Sequence, residues 1–123
     1  MSEKEKDSVV INGIEYFPKN ELVQKQNVDG LKYVIIRTYS AGVFAGFLKS
    51  RKDKEVELLQ ARRLWQWKGA ASLSQLAVDG VSSPQECKFP AEVSNVELLQ
   101  AIEILDVTSK AQKSIASVAV WQS

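Results

Sequence analysis

The chain has 123 residues, 45% of them hydrophobic and 25% charged, and a formal net charge of +1. That length and balance suit one domain able to bury its own core. Near-zero net charge supplies no long-range field to gather a nucleic-acid backbone, so a nucleic-acid partner is not expected. With no histidine in the chain, serine triads, His-ligated zinc and imidazole acid–base chemistry are excluded. Any catalysis would rest on carboxylates, lysines or tyrosines, and most of the acidic residues alternate with lysine or fall on surface faces. The expectation is a protein that is not an enzyme, with no metal and no cofactor. Cys87 is the single cysteine and has no internal disulfide partner. The apolar runs are too short for a membrane span, and MSEKEKDS lacks the apolar stretch of a leader. These features point to the cytosol and to no membrane partner.

In chain order, residues 1–8 are charged. VVINGIEYF then holds two short β-rich runs around Asn12-Gly13, a strong hairpin signal, closed by Pro18. KNELVQKQN over 19–27 suits a short helix ended by Asp29-Gly30, so residues 1–30 form an N-terminal arm and 31–123 a single domain. Tyr33–Tyr39 is rich in β-branched and aromatic residues and reads as a central strand. Ser40-Ala41-Gly42 turns the chain into a second strand, Val43–Ser50. Gly46 inside that strand marks a bulge or a close backbone approach. The charged turn Arg51–Lys54 leads to a third strand, Glu55–Trp67, completing an antiparallel meander.

Strict alternation along that third strand places Glu57, Leu59, Ala61, Arg63, Trp65 and Trp67 on one face. Val56, Leu58, Gln60, Arg62, Leu64 and Gln66 take the other. A helix over the same run would separate Trp65 from Trp67. Ala71–Val78 reads as a short helix with Leu73, Leu76 and Ala77 inward and Gly80 near its end. After the loop through Lys88-Phe89-Pro90, Val96–Val107 reads as another strand. Thr108 caps a last helix, Ser109–Ser117, and Val118–Trp121 returns as an edge strand. The expected fold is α+β: a strongly bent antiparallel sheet or partial barrel with two or three short helices.

The runs RTYSAGVFAG (Arg37–Gly46), ARRLWQWKGAASLSQLA (Ala61–Ala77) and CKFP (Cys87–Pro90) resemble a family of small tailed-phage or prophage proteins that carry a domain of unknown function. The likeness covers roughly residues 33–121 and leaves the arm through Asp29 outside. It implies a phage origin and no particular activity. Small phage proteins of this size include sponges that bind the cyclic nucleotide or cyclic ADP-ribose signals of bacterial defence. The link to those is an analogy of size and chemistry rather than of aligned motifs.

Arg37–Ala77 concentrates cationic, aromatic and small residues, a combination that suits a pocket for a planar anionic ligand. Arg62 and Arg63, joined by Arg37 from the neighbouring strand, could grip phosphate through their planar forks. A strand that simply puts one arginine on each face is the competing reading. Trp65 and Trp67 are either core residues or a platform for a base, where stacking contributes roughly 1–3 kcal/mol. Ser72 and Gln75 are either a helix cap or ligand-orienting groups at a helix start, and Phe89 is a loop anchor or a lid. Cys87 reads as a small buried hydrophobe. One stack and two charge-assisted hydrogen bonds barely cover an association cost of roughly 4–15 kcal/mol, so enclosed pockets at the subunit interfaces of a homo-oligomer are expected. The most concrete reading is a non-catalytic phage protein in the cytoplasm of the infected host. It would sequester a small nucleotide-type immune signal and so act as an anti-defence sponge. The rival is a phage structural or protein-interaction module.

Overall fold

Residues 28–122 are described by a computed structural model. The hairpin and short helix expected before residue 28 lie outside the described residues. The elements run β1 (Tyr33–Thr38), β2 (Val43–Lys52), β3 (Glu55–Arg63), α1 (Leu73–Asp79), a 3-10 turn (Pro84–Glu86), β4 (Val93–Leu98), β5 (Ala101–Asp106) and α2 (Ser109–Ser117). The strands form one sheet in the order β4-β3-β2-β1-β5, and every neighbouring pair is antiparallel. The fold is therefore α+β, as the residue pattern led one to expect. Among the described residues, no helix is long and apolar enough to cross a membrane.

Both helices pack on one face of the sheet. Leu76 and Ala77 of α1 and Ile115 of α2 join Ile35, Ala45, Leu64 and Phe89 in one core cluster. The second cluster comes entirely from strands: Val34, Ile36, Phe44, Val56, Leu58, Ala61 and Leu98. Alternation along β1 explains the split, with Ile35 on the helix side and Val34 and Ile36 on the other.

β3 does not keep the strict alternation expected of it. Pairing with β2 jumps from Ala45↔Arg62 to Phe47↔Leu59, and Gln60 takes a left-handed φ of 51°, uncommon outside glycine. An extra residue of this kind is a β-bulge, and it reverses the parity of everything after it. Ala61 therefore joins Val56 and Leu58, while Leu64 turns to the helix side. The bulge sits against Gly46, where an added Cβ would lie 3.1 Å from both Ala61 Cα and Leu59 O. Gly46 thus marks a close backbone approach, as its place within a strand suggests.

Two strands differ from their expected extent. β3 stops at Arg63 rather than Trp67, because the partner strand runs out. Leu64 N–H donates to Val43 O at the start of β2, and the next two amides turn away to Lys88 O at 3.1 and 3.2 Å. The run expected as one strand over Val96–Val107 is two strands, β4 and β5, divided by Leu99-Gln100. That turn contains none of the usual turn residues. It is held from outside, by Tyr39 N–H on Gln100 O and Ala101 N–H on Lys54 O, both at 2.9 Å.

The helices begin where their caps are. Ser72 Oγ accepts from Gln75 N–H at the start of α1, and Thr108 Oγ1 accepts from Ala111 N–H at the start of α2, each filling an amide left orphaned by the first turn. Gly80 ends α1 at φ 77°, and a Cβ there would overlap Ser114 of α2. The two helices are tied again by Ser114 Oγ, which accepts from Val81 N–H at 2.9 Å and donates to Val81 O at 3.2 Å. Instead of a full edge strand, the tail forms a single parallel bridge between Phe89 and Val120.

Candidate functional site

Beyond the bulge, Arg62 points to the helix side of β3 and is only 7% exposed. Its guanidinium spans three segments, donating from Nε to Pro90 O at 3.0 Å, from Nη1 to Ile115 O at 2.9 Å and from Nη2 to Phe89 O at 3.0 Å. The group also lies 5.5 Å from the Phe89 ring centroid. Guanidinium has five N–H donors, so these bonds leave part of its capacity unused. None of the ion pairs among the described residues involves Arg62. Carbonyl dipoles solvate the cation without neutralising it.

Arg62 forms part of the wall of a groove of about 380 Å³ between the sheet and α2, together with Tyr33, Phe47, Glu92, Gln112 and Val118. Tyr33 and Phe47 meet edge to face at 5.0 Å between ring centroids, the arrangement aromatic quadrupoles favour. Burial, followed by the nearby charge of Glu92, pushes the Tyr33 phenol up to about 12, with Arg62 pulling the other way. Tyr33 therefore stays a neutral O–H at any ordinary pH. Burial also lowers the Arg62 value, partly countered by Tyr33 and Glu92. The groove thus offers a cationic fork, a phenol, the side-chain amides of Gln60 and Gln112 and an apolar wall, with one carboxylate.

The residues singled out from the sequence are dispersed over the fold. Arg63 projects to the opposite face, its guanidinium 4.6 Å from the Phe44 ring centroid. Arg37 faces its cross-strand partner Glu103 and pairs with it, Nε to Oε1, at 2.8 Å. Trp65 is 61% exposed, while Trp67 is half-buried against the helix-side core. Ser72 and Gln75 both serve the start of α1, Ser72 Oγ taking Gln75 N–H at 3.1 Å and Gln75 Oε1 taking Ala71 N–H at 2.8 Å. This resembles a capping box, except that the Gln75 side chain reaches the amide one residue before the cap rather than that of Ser72 itself. Phe89 is fully buried, and its carbonyl accepts from both Arg62 and Trp121 N–H.

Of these residues, Arg62 alone lines a cavity among those described. Tyr33, Glu92 and Gln112 were not singled out, since they come from a strand start, a loop and a helix with no common motif. The one local hint was the β-branched and aromatic run beginning at Tyr33. Cys87 is buried and its thiol lies within hydrogen-bonding distance of Ser83 O at 3.5 Å, in keeping with a small buried residue.

Residues 31–115 match a family model described as a domain of unknown function (DUF6948). No curated protein and no solved structure matches the chain.

Proposed function

This chain belongs to the DUF6948 family, and from that premise we propose that it is a non-catalytic binding protein that holds a small anionic molecule of nucleotide type in the groove beside Arg62. The observation that carries the reading is an arginine, Arg62, that is only 7% exposed as a residue and whose guanidinium has no carboxylate in ion-pair contact among the described residues. Removing an ion from water costs several kcal/mol unless an opposite charge and hydrogen bonds compensate. Three carbonyls supply the hydrogen bonds, and an anion in the groove would supply the charge. Tyr33 and Gln112 would donate to ligand acceptors, and the Tyr33–Phe47 pair with Val118 would line its apolar body. A volume of about 380 Å³ lies at the small end of ligand pockets, which supports a single nucleotide-sized guest.

The finer picture is a phage protein that captures a cyclic nucleotide or cyclic ADP-ribose defence signal in the bacterial cytoplasm. In this picture a second subunit closes the open side of the groove. A strongly bent sheet belongs to the same picture. It is supported by the two-residue link, Leu99-Gln100, between β4 and β5, which are the opposite edges of the sheet.

The test is thermal denaturation with a panel of mono- and cyclic nucleotides and cyclic ADP-ribose. A ligand at 100 to 1,000 times its dissociation constant stabilises by about 2.7–4.1 kcal/mol, a readily measured rise in Tm. Gln112→Ala should shrink that rise while leaving the unliganded Tm nearly unchanged. If no member of the panel raises Tm, the reading fails. The protein-interaction reading is favoured by one observation, the exposure of Tyr39 and Trp65 at 77% and 61%.

A further inference from the structure

β4 and β5 are the outer strands of the sheet. β5 pairs with β1 in unbroken antiparallel register from Val34↔Asp106 to Arg37↔Glu103. Val107 N–H donates to Tyr33 O at 3.2 Å, so Val107 faces β1. Antiparallel pairing alternates the direction of successive backbone groups. Leu105 and Glu103 therefore also face β1, while the N–H and C=O of Ile104 and Asp106 point off the sheet. No turn, loop or cap bond among the described residues takes up those groups. The side chains of β5 are incompletely covered as well. None of Ala101–Asp106 is buried, whereas four of the six residues of β1 are. Ile102 is 49% exposed, and Leu105 and Ile104 reach the two core clusters only as half-buried margins.

Charge is distributed unevenly along that open side. The turn between β2 and β3, Asp53-Lys54, is tied to the beginning of β5 by Ala101 N–H on Lys54 O at 2.9 Å. A groove of about 520 Å³ is lined by this turn, Arg51 and Ala101–Ile104. Arg51, Lys52 and Lys54 outnumber the carboxylates Asp53 and Glu55 around the turn, and none of these cations forms an ion pair among the described residues. Arg51 Nε donates instead to Asp53 O at 3.1 Å. At the far end of β5 stands Asp106, paired with Lys32 at 3.7 Å with both side chains exposed, a kind of contact that contributes little. Glu103 is taken up by Arg37. A second β5 docked antiparallel about a two-fold axis brings its Asp106 end to the Ala101 end of the first. Each basic turn then faces the other copy's Asp106, so the edge is complementary to itself. A parallel pairing would set like charges together.

We propose that β5 is the contact edge for a second copy of this chain, the two strands pairing antiparallel into one sheet that runs through both copies. Main-chain bonds through Ile104 and Asp106 supply the attachment, as in strand addition to a sheet edge. Arg51 and Lys54 against the second copy's Asp106 fix its direction. The contact uses none of the residues beside Arg62 and does not depend on the binding function.

The experiment is analytical ultracentrifugation of the full chain over a concentration series, with amide exchange measured on the same samples. A dimer is expected, and protection of the Ile104 and Asp106 amides should rise with protein concentration. Asp106→Lys and Lys54→Glu should each weaken the dimer about tenfold, since a two-fold contact loses an exposed ion pair twice over. The double variant should regain most of the loss, a rescue that misfolding does not produce, with Tm nearly unchanged throughout. A chain that stays monomeric at every concentration overturns the proposal. So does a dimer that both single variants leave intact, or a charge swap that restores nothing. Protection at Ile104 and Asp106 that is independent of concentration also overturns it, because the edge is then covered within one chain.

Discussion

Arg62 and Arg63 are chemically identical neighbours at the end of β3, yet their surroundings share almost nothing. The first is 7% exposed and ties β3 to the Phe89-Pro90 loop and to α2 through three carbonyls. The second is exposed and lies over Phe44, with no hydrogen bond or ion pair from its guanidinium among the described residues. Alternation puts them on opposite faces, and the bulge at Gln60 decides which arginine goes to which face. The lesson is that phase along the pleat assigned these cations their roles. Residue type alone leaves both equally suited to grip an anion or to sit in solvent.

Truncation is the most forceful way to break this comparison. Arg62→Ala removes three charge-assisted bonds and leaves Pro90 O without its Arg62 donor, and it should cost about 2–4 kcal/mol in urea denaturation. Arg63→Ala loses an exposed cation–π contact and should cost no more than about 1 kcal/mol. Equal losses would show that the two environments are energetically alike.

The desolvation of the Arg62 side can be sharpened with pH. The Tyr33 phenol has a folded value raised from 10.0 to about 12, so the native state holds that proton more tightly than the unfolded chain. Its contribution is complete below pH 10 and disappears as pH climbs to about 12. Wild type should therefore lose roughly 2–3 kcal/mol more than Tyr33→Phe across that interval, at about 1.4 kcal/mol per pH unit. Parallel stability curves for the two proteins would place Tyr33 in water.

A further change acts on the bulge that separates the arginines. Gly46→Ala forces a Cβ against backbone atoms of Leu59 and Ala61 at 3.1 Å, and backbone cannot rotate aside as a side chain can. A loss of about 1–2 kcal/mol is expected, with amide exchange quickening around Gln60 ahead of the rest of β3. Wild-type stability and exchange would mean that the bulge accommodates the methyl group freely.

Much of the framework was legible because the forces behind it are local. Thr108 and Ser72 announce their helices by hydrogen bonds that span only three residues, and Gly46 signals a close approach by lacking a side chain inside a strand. The division of Val96–Val107 was hidden, because Leu99-Gln100 turns under bonds from Tyr39 and Lys54, far away in the chain. The end of β3 was hidden for the same reason, its last amides being drawn off by Lys88. Of the candidate ligand residues, Arg62 lies at the groove, whereas Ser72 and Gln75 are engaged in the cap of α1.

What the chain determined by itself was the set of elements: strands from β-branched and aromatic runs, helices from caps and apolar spacing, and an α+β class from their mixture. Only tertiary structure decided the phase of β3 and the meeting of Tyr33, Arg62, Glu92 and Gln112 around one groove. The physical reason is range. Caps and turns are settled by partners a few residues apart, whereas a one-residue bulge reverses the facing of every later side chain in its strand, and whether it forms depends on a neighbour 14 positions earlier, Gly46 beside Gln60.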